Sequence, residues 1–328
     1  MKAVLCRGYG PPESLTIEEV PSPRAGPGEV VVSVRAASLN FPDLLIIENK
    51  YQLKPALPFS PGSELAGVVK DVGEGVATWQ PGDRVLAFTG YGAFAEEVKV
   101  EATRLVPAPD AMDDHAAAAF GLTYGTCDHA LRDRGRLAPG ETLLVLGAAG
   151  GIGLAAIEIG KALGARVIAC ASSDGKLAAC RQHGADATID YVREDLRDRI
   201  KELTGGRGAD VVLDPVGGPL SELALRSTAW RGRLLVVGFA AGEIPKIPLN
   251  LTLLKGCSIV GVFWGDFARR EPKAFAESVA ELGRWHREGR LKPHVSAIFP
   301  LEQAKQALAL LASRTVIGKL VLTVGPVR

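Results

Sequence analysis

Excess charge is nearly absent from this sequence: 38 Lys and Arg stand against 37 Asp and Glu, a formal net charge of +1. Binders of nucleic acid concentrate a basic surplus or a basic face, so no nucleic-acid partner is expected. The short basic clusters Arg132-x-Arg134-x-Arg136 and Arg269-Arg270 are flanked by acids and read as solvated faces. Apolar runs of about 18 residues are missing too, and with them any expected membrane span. The segment from Met1 to Leu15 holds no apolar stretch of signal-peptide length. Cysteine is scarce and unpaired in pattern. Cys6, Cys127, Cys170, Cys180 and Cys257 form no C-x2-C spacing, which excludes a disulfide framework or a zinc knuckle and fits a reducing, cytoplasmic location. The five histidines (His115, His129, His183, His286, His294) form no H-x3-H spacing, and no metal is expected.

What is abundant is turn chemistry, with 38 Gly and 21 Pro among 328 residues. Hydrophobic residues at 47% exclude disorder over most of the chain, and roughly 150 residues per domain suggests two domains. The first hundred residues read as β-rich. Val30–Val34, Ala66–Val72, Arg84–Phe88 and Phe94–Val98 are short segments separated by Gly/Pro punctuation, the texture of a sandwich or partial barrel. Asp113–Leu131 reads as a helix capped by Asp113 or Asp114. From Thr142 strands alternate with helices: strands Thr142–Leu146, Arg166–Ala171, Ala187–Asp190 and Val211–Asp214 are followed by helices Leu154–Leu163, Gly175–His183, Glu194–Leu203 and Leu220–Ala229, and strands Arg233–Gly238 and Ser258–Val262 close the series. Such alternation means βαβ units and a parallel sheet. The tail, with helices Pro272–Glu288 and Glu302–Ser313 and a strand Leu320–Val324, is too short to bury its own core. The expected domains are therefore 1–122 with 266–328, and 123–265.

Strand Thr142–Leu146 runs into Gly147-Ala148-Ala149-Gly150-Gly151-Ile152-Gly153, which opens a helix. A small-residue turn at this place lets backbone approach a pyrophosphate, which helix N-terminal N–H groups hold. Ala148-x-Gly150-x-x-Gly153 departs from the strict G-x-G-x-x-G, and the succession of βα repeats is what supports the dinucleotide reading. About 20 positions on, an NAD-binding chain places an acid for the ribose hydroxyls. Here Ala171 holds that place, and Ser172, Ser173 and Lys176 follow, a set suited to a 2′-phosphate. Asp174 is the discordant neighbour, and reads as the N-cap of the next helix. NADPH is the expected coenzyme.

With these markers the chain resembles the zinc-independent quinone oxidoreductase (zeta-crystallin-like) branch of the medium-chain dehydrogenase/reductase superfamily. The similarity spans essentially the whole chain. It is carried by the Met1-Lys2-Ala3-Val4-Leu5 start, Asn40-Phe41-Pro42-Asp43, Pro61-Gly62-x-Glu64-x-Ala66-Gly67, Gly82-Asp83-Arg84-Val85, Gly121-Leu122-Thr123, the glycine turn, Asp214-Pro215-Val216-Gly217-Gly218 and Gly318-Lys319. The resemblance implies an α/β architecture: a GroES-like β-rich catalytic domain and a Rossmann domain with a doubly wound parallel sheet. Zinc-dependent relatives place a Cys where this chain has Asn40, a His where it has Ser63, and a Cys or Asp near Ala119.

The resemblance also implies roles. Asn40 and Thr123 lie near the nicotinamide, and Tyr51 lines the substrate cleft, where its phenol either donates a proton or only packs. The approach to Tyr51, Glu48-Asn49-Lys50, departs from the usual R-x-G-x-Y. Tyr191 stacks near the adenosine phosphate, and the backbones of Phe239 and Val262 meet the carboxamide. The implied activity is hydride transfer from NADPH to a small quinone, the alternative being reduction of an activated C=C bond. A crystallin-like or RNA-binding role is the non-enzymatic alternative. Relatives are homo-oligomeric, and Ser258–Trp264 is the candidate edge for a homodimer or homotetramer.

Overall fold

The computed structural model describes residues 1–325, which form two compact units: Met1–Leu122 with the chain from Pro293 onward, and Thr123–Lys292.

The first unit is built on a seven-stranded sheet. Its main path runs Val295–Pro300, Lys319–Thr323, Glu29–Ser38, Glu64–Val72, Arg84–Phe88 and Leu105–Pro107, with Glu97–Glu101 also paired to Glu29–Ser38. All pairings are antiparallel except the first. The central strand, far longer than the five residues expected, buries Val30, Val32 and Val34 with Leu65, Val85 and Phe94 in one core. Two register shifts against Glu64–Val72 bend it. Gly67 lets these strands close, since a Cβ there would lie 2.4 Å from the Ser33 carbonyl oxygen. Helix Ala304–Ala312 adds Ala304, Ala307 and Leu308 to the same core.

The second unit is a six-stranded, wholly parallel sheet in the order Ala187–Asp190, Arg166–Ala171, Thr142–Val145, Ala209–Asp214, Thr228–Val236, Ser258–Gly261. In chain order of its strands this is 3-2-1-4-5-6, the doubly wound order whose switch point lies between the first and fourth strands. Nearly continuous apolar strands such as Leu143–Val145 are fully buried, as a sheet covered on both faces requires.

Three expectations are corrected. The stretch 266–292 belongs to this parallel-sheet unit. Helix Pro272–Arg287 turns Phe275, Ser278, Leu282 and Trp285 to one buried face. Ser278 Oγ donates to Asp128 Oδ2 at 2.5 Å, and the guanidiniums of Arg132 and Arg290 stack over Trp285 at 5.7 and 5.2 Å. Next, 113–131 is not one helix. Asp113 caps a short helix Asp114–Ala118 by accepting from the Ala116 N–H, a second runs Gly121–Asp128, and a π-helical turn follows at His129–Arg134. Gly121 sits tight against Phe88, whose ring would be 2.4 Å from any Cβ there. Finally, Asp174 is not an N-cap: Ser173 takes that place and Asp174 is the first helical residue.

Candidate active site and coenzyme site

Every coenzyme-site candidate read from the sequence follows the carboxyl end of a strand in the parallel sheet. The register aligns Val145 with Ala169 and Leu213, Ala171 with Asp190, Asp214 with Val236, and Val236 with Gly261. The turns after these residues therefore open on one edge, where open α/β sheets take their ligands. The first turn is made by Gly147 at φ 56°, and helix Gly151–Ala162 begins inside the glycine run. Its N-cap, Gly150, offers no side chain, so the first-turn N–H groups of Gly151, Ile152 and Gly153 have no side-chain cap. Gly153 is pressed on the strand end: a Cβ there would stand 2.4 Å from the Ala148 carbonyl. Small residues are demanded by contact, and the bare helix end suits a pyrophosphate.

Ala171 ends the second strand buried, with no acid in its place. Lys176 Nζ donates to Ser172 Oγ at 3.4 Å, which gathers two of the three phosphate candidates; Ser173 is the N-cap beside them. Burial pushes the Lys176 ammonium below its usual value. The discordant Asp174 pairs at the surface with Arg193, whose Nη1 reaches both carboxylate oxygens at 3.0 and 2.9 Å. Arg193 escaped the sequence reading because it follows the third strand, 19 positions from its partner. Tyr191 is half-buried in the same turn, its N–H bonded to the Ala171 carbonyl. Phe239 packs on Gly217, and the Val262 N–H is held by the Val236 carbonyl at 3.0 Å. Thr123 lies buried in helix Gly121–Asp128 of this unit.

In the first unit Asn40 is the N-cap of helix Phe41–Ile47, its backbone N–H donating to Asp43 Oδ2 at 2.7 Å. Its side chain faces inward. Asn40 Nδ2 donates to Glu64 Oε1 at 3.0 Å and to Ser63 Oγ at 3.3 Å, while Oδ1 accepts from Lys319 Nζ at 2.6 Å. Lys319 also donates to the Leu39 carbonyl at 2.9 Å and to Glu64 at 3.2 Å, and Glu64 accepts the Leu122 N–H. The pair is dry, Lys319 being 6% and Glu64 1% exposed. These bonds fix which way the Asn40 amide points. Asn40 and Ser63 thus touch each other where zinc-dependent relatives hold Cys and His. Among the described residues no group of three His, Cys, Asp or Glu is arranged to hold a metal. Asp43 is entirely buried with Oδ1 unpartnered, and burial pushes its carboxyl up to about 7. Tyr51, in the loop after the helix, packs its ring on the core edge. Burial and the nearby Asp43 raise its phenol. The sequence reading had singled out Gly318-Lys319 and Glu64 only as motif residues. Their pairing spans 255 positions and has no local signal.

Residues 26–110 match the alcohol dehydrogenase GroES-like domain model, and 151–282 the zinc-binding dehydrogenase model. Quinone oxidoreductase-like protein 2 homolog from Nematostella vectensis is 41% identical over 98% of this chain and 88% of its own length. The quinone oxidoreductase of Rattus norvegicus is 33% identical, covering 98% and 97%. The Escherichia coli quinone oxidoreductase crystallised with NADPH superimposes with a TM-score of 0.93 at 31% identity, covering 98% and 100%. The chain belongs to the medium-chain dehydrogenase/reductase superfamily, beside the quinone oxidoreductase-like proteins it matches.

Proposed function

We propose that this chain is an NADPH-dependent oxidoreductase that delivers a hydride to a small quinone without zinc. The observation that carries the reading is the Asn40–Ser63 contact, held by Lys319 and Glu64, where a Lewis acid would otherwise be ligated. Lacking that polarising ion, such a site suits an acceptor reactive enough to need only positioning and exclusion of water. The coenzyme supplies the hydride when bound. The N–H groups of Gly151, Ile152 and Gly153, with Ala148 and Gly150 beneath them, hold its pyrophosphate. Ser172, Ser173 and Lys176 hold the 2′-phosphate, Tyr191 stacks beside the adenosine phosphate, and the backbones at Phe239 and Val262 meet the carboxamide. Asn40 and Thr123 orient the nicotinamide. Tyr51, its phenol raised further above its ordinary value by burial and by Asp43, hydrogen-bonds the acceptor oxygen.

The test compares NADPH oxidation by a quinone and by a crotonyl thioester, in wild type and Tyr51→Phe. A quinone reductase loses less than about tenfold on removing the phenol, because solvent can protonate the product oxyanion. A loss of roughly 10²-fold or more, the range of a general acid, together with thioester turnover, identifies a C=C reductase instead.

The partner we propose is a second copy. Among the described residues the outer edge of strand Ser258–Gly261 is unpaired, and Leu249, Leu253, Leu254, Ile259 and Phe263, in and beside it in sequence, stand exposed, Leu253 at 79%. An apolar patch of this kind marks an interface, and Leu253→Glu should reduce the molecular mass measured in solution. Among the described residues no helix is long and apolar enough to cross a membrane.

A further inference from the structure

The cluster Arg132-x-Arg134-x-Arg136, read from the sequence as a solvated face, does not stand alone. In the parallel-sheet unit, Arg134 and Arg136 share an open cleft of about 520 Å³ with Arg231, Arg233, Asp133, Glu141, Ser258 and Val260. Four guanidiniums against two carboxylates make this a cationic spot on a chain whose net charge is +1. It lies toward the amino ends of the strands, where Glu141 precedes Thr142 and Arg233 aligns with Ser258 on the strand whose outer edge a second copy is proposed to meet, and Arg134 reaches along that strand to Gly261. The strand Thr142–Val145, about 13 Å long, separates it from the glycine turn.

The four arginines are not equivalent. Arg233 is spent on structure: it grips Glu141 through two bonds at 2.8 and 2.7 Å and donates to the Gly135 and Arg136 carbonyls at 2.9 and 3.1 Å. It therefore neutralises one acid and pins the loop that carries the neighbouring arginines. Among the described residues Arg134 bonds through Nε alone, to the Gly261 carbonyl at 3.2 Å. The side chains of Arg136 and Arg231 make no bond among the described residues. Both hold left-handed backbone, at φ 46° and 64°, a conformation uncommon for residues other than glycine. At each position a guanidinium stands where glycine would sit with less strain.

We propose that this cleft binds a small multivalent anion bearing phosphoryl groups, through Arg134, Arg136 and Arg231, at a site separate from the coenzyme's. Guanidinium forks match phosphoryl oxygens by paired, charge-assisted bonds.

The probe is tripolyphosphate, titrated calorimetrically into the NADPH-saturated enzyme at constant ionic strength, so that the coenzyme's own phosphate pockets are filled. One saturable site per chain is expected. Arg136→Gly and Arg231→Gly are the informative variants, because glycine removes the charge while easing the backbone. Each should weaken tripolyphosphate by about tenfold, leaving the NADPH dissociation constant and the melting temperature of the ligand-free protein unchanged or the latter raised. Three results overturn the proposal. The NADPH-saturated enzyme takes up no tripolyphosphate, or the variants bind it as wild type does. The glycine variants change the oligomeric state instead, which would mean that the arginines pair with acids of a second copy. Or a single-stranded RNA competes through the same arginines while tripolyphosphate never saturates, which would make the face a polyanion surface.

Discussion

Lys319→Met removes one half of a buried ion pair and nothing else of comparable volume. In the wild type the ammonium meets Glu64 Oε1 at 3.2 Å, Asn40 Oδ1 at 2.6 Å and the Leu39 carbonyl at 2.9 Å. Both ions are almost fully dry, so the Glu64 carboxylate left behind has no water to replace its partner. Breaking such a pair from one side typically costs about 3–5 kcal/mol. Over a unit of this size roughly 2–4 °C of melting temperature accompanies each kcal/mol, so a drop of the order of 10 °C is expected at neutral pH. Glu64→Gln in the Lys319→Met background removes the orphaned charge, and the double variant should recover most of the loss. Urea denaturation of the three proteins, followed by far-UV circular dichroism with attention to the transition of the unit from Met1 to Leu122, measures it. A single-variant cost below about 1 kcal/mol, the size seen for solvent-exposed pairs, or a double variant no better than the single one, refutes the dry pair. Coenzyme turnover should fall more than stability alone explains, because Lys319 also orients the Asn40 amide.

Further outcomes follow from the same geometry. Lys176→Ala should weaken NADPH roughly 10- to 100-fold, the value of a charge-assisted bond, while NADH is unaffected; equal losses in kcat/KM for both coenzymes would refute the phosphate assignment. Ala171→Asp should shift preference toward NADH in the same assay, by repelling the 2′-phosphate and accepting from a ribose hydroxyl. Gly153→Ala drives a Cβ to 2.4 Å from the Ala148 carbonyl, so NADPH affinity followed by fluorescence should fall at least about tenfold; wild-type affinity would show that the turn has room. Asp43 is held at about 7 by burial, above its ordinary 3.8. Its protonated form is therefore the one folding prefers, and its contribution is complete at low pH and is lost as pH rises from about 4 through 7, by up to about 4 kcal/mol. Asp43→Asn should flatten stability between pH 5 and 8, and parallel wild-type and variant curves would refute the assignment.

Local pattern was enough to read the two-part α/β architecture, the strand-to-helix glycine turn and the absence of an acid at Ala171. Each of these is a property of one element: a periodicity, a run of small residues, a single side chain at a strand end. The strand limits were less legible, because Glu29–Ser38 continues past Val34 only by pairing with partners from Glu64–Val72 and Lys319–Thr323. The assignment of 266–292 also had to wait for packing. An amphipathic helix shows that it has an apolar face, and the identity of the face it covers depends on Asp128, Arg132 and the groove they border. The pairing of Asp174 with Arg193, the alignment of Asn40 by Lys319 and the gathering of Arg136 with Arg231 all join residues distant in the chain. What joins them is the register of neighbouring strands. In either sheet register is a collective outcome of burying whole faces at once, so residue types and spacing indicated a coenzyme site while the tertiary structure decided which charges meet.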